Sequence, residues 1–303
     1  DIEYDEESDS WTGIMKKETK GGNNDIKNAR LEDQRMMNFT LGGEHQFSRV
    51  KADWTASYSK ASEERPNERY IAYKVKKLTF TTDFSDKSAP RITGVTPASA
   101  ADFSSDYKFD EITEEFQFTE DIDKNFKLNF TIPLLENNFK NSIKLGVRYK
   151  GKEKMRDNRL FEYTPVDKDA FNEATLNNLK NFTKDNFLAG DYATGNHVSR
   201  EYLGGLDLTN SSLFEEERSA EGEAGNFNAT EDIIGGYIML NQNIGPKLLI
   251  IAGVRIENTS QKYQGNQYDA DEDENILTPI VSDAYINVLP GLDLKYDFSK
   301  TAI

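Results

Sequence analysis

Long stretches of this chain alternate between apolar and polar residues with a period of two. From Phe116 to Leu134 the even-numbered positions are mostly apolar, and the odd-numbered positions are almost all polar. The pattern resumes from Ile143 to Tyr149, where the apolar residues fall at odd positions. Because successive side chains of a β-strand point to opposite faces of a sheet, these stretches predict long strands with one apolar and one polar face.

Seven such strands are predicted along the chain, and short polar turns join them into antiparallel hairpins. The turns fall near residues 47, 138, 244 and 298, and a further strand is expected to begin at Thr301. The predicted strands span roughly residues 34–46, 50–62, 110–134, 141–157, 231–242, 248–262 and 284–296.

The other connections are long, and they hold most of the polar residues. They comprise residues 1–33, 63–109, 158–230 and 263–283. Short turns at one end of the strands and long loops at the other are typical of outer-membrane barrels. The pattern therefore predicts an all-β fold: a segment of an antiparallel transmembrane β-barrel with long extracellular loops.

One short helix is expected inside the second internal long loop. Residues 168–187 carry a helical pattern in which Phe171, Ala174, Leu179 and Phe182 would line one side.

A soluble β-sheet protein is the alternative fold, because its strands also alternate apolar and polar residues. Strands of soluble proteins usually run for about five or six residues. The alternation at 116–134 is much longer, and the loop lengths are asymmetric. These two features favour the membrane barrel.

The composition excludes several classes of function. The chain has 303 residues, a mean hydropathy of -0.73 and a formal net charge of -16. So acidic a chain is not expected to bind nucleic acid, since a phosphate backbone requires lysine and arginine. Cysteine is absent, which rules out disulfides and thiolate chemistry.

No catalytic constellation or cofactor motif stands out, and the chain is not expected to be an enzyme. The two histidines, His45 and His197, fall in a predicted turn and a predicted loop. Asp269, Asp271 and Asp273 alternate as in an EF-hand loop, but the glycine required at the sixth position is missing. A looser calcium contact at these aspartates is therefore a weak hypothesis, beside that of a solvated acidic loop.

The polar faces of the strands predict the wall of a transport lumen, since the apolar faces would contact lipid. The residues expected to face the lumen are Asp53, Asn125, Lys127, Asn129, Thr131, Lys144, Arg148, Arg255 and Glu257.

Four stretches, read together, resemble the β-barrel of TonB-dependent outer-membrane receptors. They are "GGEHQFSRVKADWTASYSKASEERP" (42–66), "KLNFTIPLLENNFKNSIKLGVRYKGKEKMRD" (127–157), "GGYIMLNQNIGPKLLIIAGVRIENT" (235–259) and "INVLPGLDLKYDFS" (286–299). In the third, Gly253 to Glu257 resemble the family's "aGvRyE" strand. In the fourth, Leu289 to Tyr296 resemble its "LPsLnlkY" strand.

The resemblance implies a barrel of about 22 strands with an N-terminal plug, and import powered by the TonB complex. The chain shows neither a plug nor a TonB box, so we expect a fragment of such a barrel. Its expected location is the bacterial outer membrane. The implied partners are outer-membrane lipid, the TonB complex through a missing N-terminal part, and a small ligand. That ligand could be a siderophore, vitamin, glycan or peptide.

Two other functions are open at this point. One is a passive porin or an adhesin-like barrel, and the other is a soluble β-rich binding domain.

Overall fold

The computed structural model describes residues 2–5, 10–88, 91–135, 138–184 and 194–298, and these residues form mainly antiparallel strands. In chain order the strands are β1 (Ile2–Asp5), β2 (Ser10–Gly21), β3 (Asp33–Phe47), β4 (Val50–Asp83), β5 (Arg91–Thr96), β6 (Lys108–Leu135), β7 (Asn138–Pro165), β8 (Leu179–Asn181), β9 (Asn196–Val198), β10 (Phe214–Arg218), β11 (Phe227–Ile244), β12 (Leu248–Asp269), β13 (Glu274–Leu277) and β14 (Val281–Tyr296).

The helices in the described residues are short. They are a 3₁₀ turn at Ala98–Ala101 and the helices α1 (Lys168–Leu176), α2 (Arg200–Gly204) and α3 (Ala220–Glu223). In this part of the chain no helix has the length and apolar character needed to cross a membrane.

The chain forms two compact units, and β4, β6 and β7 contribute residues to both. The loop unit comprises Asp1–Glu32, Glu64–Gln117 and Asn158–Glu223. The strand unit comprises Asp33–Glu63, Phe118–Asp157 and Ala224–Ile303.

The strand unit is a sheet in which the hydrogen-bonded order is β3, β4, β6, β7, β11, β12 and β14. Ile238 of β11 lies opposite Leu145 of the neighbouring strand β7 and opposite Val254 of the other neighbour, β12. Since residues that face each other across antiparallel strands share a face, these apolar residues form one continuous surface. Many of its side chains are exposed, including Val147, Ile234 and Ile238.

The hairpins of the strand unit agree with the predicted turns. Ser48, with φ of 52°, lies between β3 and β4, and Gly245, with φ of 63°, lies between β11 and β12. Gly245 suits this position because glycine adopts positive φ without steric cost. The predicted turn near 138 falls partly on residues 136–137, and the strand expected from Thr301 falls on 299–303. Both stretches lie outside the described residues.

The loop unit has its own hydrophobic core. Strand β2 pairs with the second half of β4, and β10 pairs with the end of β7. Phe103 packs edge-to-face on Tyr73 with ring centroids 5.0 Å apart. The buried core comprises Ile71, Tyr73, Val75, Leu78, Ala100, Phe103, Tyr107, Ile112, Tyr163, Val198, Leu203, Leu208 and Phe214.

The strands extend further than the sequence pattern predicted. The prediction of a loop over 63–109 is wrong at its start, because β4 continues to Asp83. Strands also occupy parts of 1–33, 158–230 and 263–283, which were all predicted as loops. The physical reason is that backbone N–H and C=O groups pair wherever a neighbouring strand is available, whether or not the side chains alternate.

The predicted loop helix is present but shorter than expected. It ends at Leu176, so Leu179 belongs to β8 and Phe182 follows that strand. Phe171 packs against the core of the loop unit, whereas Ala174 is exposed.

Candidate lumen wall

The polar face of the strand unit contains a hydrogen-bond network that joins three strands. The amide nitrogen of Asn129, on β6, donates to Asp53 Oδ1, on β4, at 2.6 Å. The hydroxyl of Tyr237, on β11, donates to Asn129 Oδ1 at 2.7 Å. Asn129 is fully buried, and each polar atom of its amide has a partner. A satisfied network of this kind fixes the side chains in one arrangement.

The strand registers place the other predicted lumen residues on the same face. Arg255 lies opposite Tyr237 on β12, and Lys144 and Arg148 lie beside that pair on β7. On β6, alternate positions share the face of Asn129. The structure therefore brings all nine predicted residues onto one face: Asp53, Asn125, Lys127, Asn129, Thr131, Lys144, Arg148, Arg255 and Glu257.

Several charged and polar side chains on this face are paired with one another. Arg255 Nη2 lies 2.5 Å from Glu257 Oε1. Further along the same face, Lys152 Nζ lies 3.2 Å from Asp121 Oδ2, and Gln261 donates to Glu231 at 3.0 Å. Such a surface offers donors and acceptors to a polar solute or polypeptide, and it does not suit lipid.

Tyr237 and Gly146 are two residues of this network that the sequence pattern did not single out. A side chain at Gly146 would place its Cβ 2.5 Å from Asn129 Oδ1 and 2.6 Å from a ring carbon of Tyr237. Glycine is therefore required for the hydroxyl of Tyr237 to reach Asn129. A glycine inside an alternating strand is the signal that could have pointed to this close approach.

The opposite, apolar face changes to charged residues part-way along the strands. Tyr149 lies opposite Ile234 at this transition, and its hydroxyl donates to Asp232 Oδ1 at 2.7 Å. Lys124 lies on the same face of β6 as Phe126, and its Nζ is 2.5 Å from Glu153 Oε1. An apolar band with a tyrosine at its border is typical of a lipid-facing surface.

The three candidate calcium ligands lie where β12 ends. Asp269 is the last residue of β12, and Asp271 and Asp273 lie in the turn before β13. Asp269 Oδ1 accepts from the backbone N–H of Asp271 at 3.0 Å, and Asp273 Oδ1 accepts from Tyr268 at 2.8 Å. In the described part of the chain, no group of three or more acidic or histidine side chains is arranged to hold a metal ion.

The loop unit contains a buried ion pair. Arg69 Nε donates to Glu114 Oε1 at 2.8 Å, and the two side chains are 3% and 7% exposed. The other end of the guanidinium donates to the carbonyl oxygens of Leu203 at 3.2 Å and Leu206 at 2.9 Å. Asn67 donates to the same carboxylate oxygen at 2.8 Å. This cluster ties β4 and β6 to the end of α2 and to the segment that follows it.

A second polar contact holds the β8–β9 hairpin. Burial alone would raise the pKa of Asp102, but backbone N–H groups of Asn196 and Phe103 and the charge of Lys17 outweigh it and lower that pKa. The ammonium of Lys17 lies 3.3 Å from Asp102 Oδ1.

His197 lies on β9 and is partly buried, so the prediction that it falls in a loop is wrong. Burial, with the charge of Lys17, lowers its pKa. His45 was predicted to lie in a turn, but it belongs to β3. Its Nε2 accepts a hydrogen bond from the indole N–H of Trp54 at 3.1 Å.

Comparison with protein-family models gives a match over the last third of the chain. Residues 205–303 match the model of the outer membrane protein beta-barrel family. This match, together with the antiparallel strands, assigns an outer-membrane β-barrel fold. The protein is located in the bacterial outer membrane. That location disagrees with the soluble β-rich alternative.

The match covers about one third of the chain, from the segment after α2 through β10, α3, β11, β12, β13 and the whole of β14. No curated protein and no solved structure matches the chain.

Proposed function

We propose that this chain is part of the barrel of a TonB-dependent transporter that imports a scarce ligand across the outer membrane. The four stretches that resemble this family support the proposal. The matched family model supports the coarser part of it, an outer-membrane barrel.

The observation that carries the proposal is the difference between the two faces of the strand unit. One face is a linked polar surface built on Asp53, Asn129 and Tyr237. The other is an exposed apolar surface that includes Val147 and Ile238. In an outer-membrane barrel the apolar face contacts lipid and the polar face lines the interior. A polar, hydrogen-bonded interior is the wall that a transported polar ligand requires.

The proposed partners follow from this arrangement. Outer-membrane lipid would cover the apolar band up to Tyr149. The TonB complex would act through the plug and TonB box that the family resemblance implies. The ligand would be a small molecule of the siderophore, vitamin, glycan or peptide class.

Uptake by cells tests the proposal directly. The natural gene product that contains this chain would be expressed in a Gram-negative host with and without a working TonB complex. Radiolabelled ferric siderophore, cobalamin, oligosaccharide and peptide would be offered in turn. We expect uptake of one class, and we expect it to stop when TonB is removed.

Electrical recording separates active import from a passive pore. The same protein would be purified in detergent and inserted into planar lipid bilayers. A TonB-dependent transporter should show no steady open channel. Steady conductance steps, together with uptake that does not need TonB, would refute the proposal and establish the passive porin.

A further inference from the structure

The loop unit contains a preformed cavity that the proposed barrel wall does not use. Its volume is about 460 Å³, and it lies between α1, the end of α2 and the segment up to β10. Sites for small molecules commonly have volumes of about 300–1,000 Å³. Its apolar lining includes Val166, Phe171, Tyr202, Leu206, Leu213 and Phe214.

The aromatic residues form the inner wall of the cavity. Phe171 stacks on Tyr202 with ring centroids 6.5 Å apart, and it meets Phe214 edge-on at 5.6 Å. By contrast, Val166 and Leu213 are 56% and 52% exposed. Large apolar side chains that are solvent-exposed beside an aromatic wall form a surface that an apolar ligand can cover.

Backbone hydrogen bonds hold the cavity open. The N–H of Val166 donates to the carbonyl of Leu213 at 2.9 Å, and the N–H of Phe214 donates to Asn210 at 3.0 Å. Asp167 caps α1, because its Oδ1 accepts from the N–H of Ala170 at 2.9 Å. A site fixed in this way loses little freedom when a ligand binds.

The charge of the site is negative. Two carboxylates, Asp167 and Asp207, line the cavity, and its described lining includes no cationic side chain. Lys168 is exposed at the start of α1 and is not among the lining residues. The loop unit as a whole has 32 acidic against 19 basic residues, a formal charge of -13 out of the -16 of the chain. Both the cavity lining and the loop unit that contains it are therefore acidic, and a negative potential attracts cations.

We propose that this cavity binds a ligand that has an apolar or aromatic body and one positively charged group. The aromatic wall would take the body, through contact with the faces and edges of Phe171 and Tyr202. Asp167 and Asp207 would face the charged group. The role of this cavity in capturing an import substrate rests on the proposed function. Its ability to bind a ligand of this class rests only on the geometry of the loop unit.

Three naphthalene probes of matched size test the ligand class. They are 1-naphthylmethylamine, which is cationic, 1-naphthalenemethanol, which is neutral, and 1-naphthylacetate, which is anionic. Dissociation constants would be measured on the full chain in detergent by equilibrium dialysis. We expect the cation to bind about tenfold more tightly than the neutral probe, which corresponds to about 1.4 kcal/mol. The anion should bind most weakly.

Variants locate the site. The double substitution Asp167→Asn and Asp207→Asn should reduce the preference for the cation to about twofold, and asparagine still caps α1. Asp169→Asn is the control for position, since it removes one carboxylate from α1 at a residue that does not line the cavity, whereas the double variant removes two that do. It should leave the preference unchanged.

A cavity-filling variant makes the test independent of charge. Ala174 lines the cavity and is exposed on α1, so Ala174→Phe should weaken all three probes without disturbing the core. Equal binding of the three probes, no binding of any, or an unchanged profile in Ala174→Phe would overturn the inference. Tight binding of the cation without TonB-dependent uptake would refute the proposed transport and leave the binding site in place.

Discussion

Removal of the carboxylate of Glu114 should destabilise the loop unit strongly. Glu114→Ala leaves the guanidinium of Arg69, whose side chain is 3% exposed, without a counter-ion. Breaking a buried pair in this way typically costs about 3–5 kcal/mol, because the remaining charge stays desolvated. The amide of Asn67 would also lose its acceptor.

Hydrogen exchange of the segment after β9 can measure this loss. The amides of Leu203 and Gly205 are bonded within α2 and its cap, and Arg69 holds the adjacent carbonyls. If these amides exchange when the loop unit opens, a loss of about 3–5 kcal/mol corresponds to roughly a hundredfold to a few thousandfold faster exchange. Mass spectrometry of the full chain in detergent would record the change.

Glu111→Ala is the matched control on the same strand. Glu111 Oε1 lies 3.0 Å from Lys16 Nζ, but the two side chains are 47% and 36% exposed. An exposed pair contributes at most about 1 kcal/mol, so exchange should accelerate by less than about tenfold. Equally small effects of both substitutions would refute the argument that burial makes the Arg69–Glu114 pair essential.

Three further predictions concern the membrane faces, pH and sidedness. Val147→Arg on the apolar face should lower the free energy of unfolding by about 2–4 kcal/mol near the bilayer midplane, whereas Lys144→Arg on the polar face should leave it nearly unchanged. Unfolding of the two variants in lipid vesicles measures these free energies, and equal losses would contradict the assigned faces. Because the pKa of His197 is lowered in the folded state, the unfolded state binds the proton more readily. Stability of the β8–β9 hairpin should therefore fall as the pH drops below the ordinary histidine pKa of about 6.5, and His197→Gln should remove this dependence when exchange is followed from about pH 7.5 to 5.5. External protease on intact cells should cut within 158–230 and spare the turn at 245–247, while cleavage confined to that turn would invert the topology.

The sequence by itself determined the hairpins and the two faces of the strand unit. Alternation is a local property, since each residue of a strand points opposite to the one before it. The predicted strand 34–46 matches β3 to within one residue at each end. The nine expected lumen residues share one face for the same reason, although their position toward the lumen stays a prediction.

The tertiary structure alone decided the length of the strands. Beyond Glu63, strand β4 continues as "ERPNER" (64–69), which has polar residues on both faces and carries no period-two signal, and alternation returns only at Ile71, Tyr73 and Val75. Pairing with β2 supplies backbone partners to this half of the strand. A pairing between residues 13–21 and 69–78 depends on contacts far apart in the chain, and no local pattern reports it.

The buried ion pair and the cavity were hidden from the sequence for a related reason. Arg69 and Glu114 look like solvent-exposed charges when each is read beside its neighbours. They become a buried pair only because β4 and β6 are adjacent and the segment at Leu203 covers them. The cavity likewise needs α1 and β10 to meet. Burial is set by which distant segments pack together, and that is a property of the folded chain.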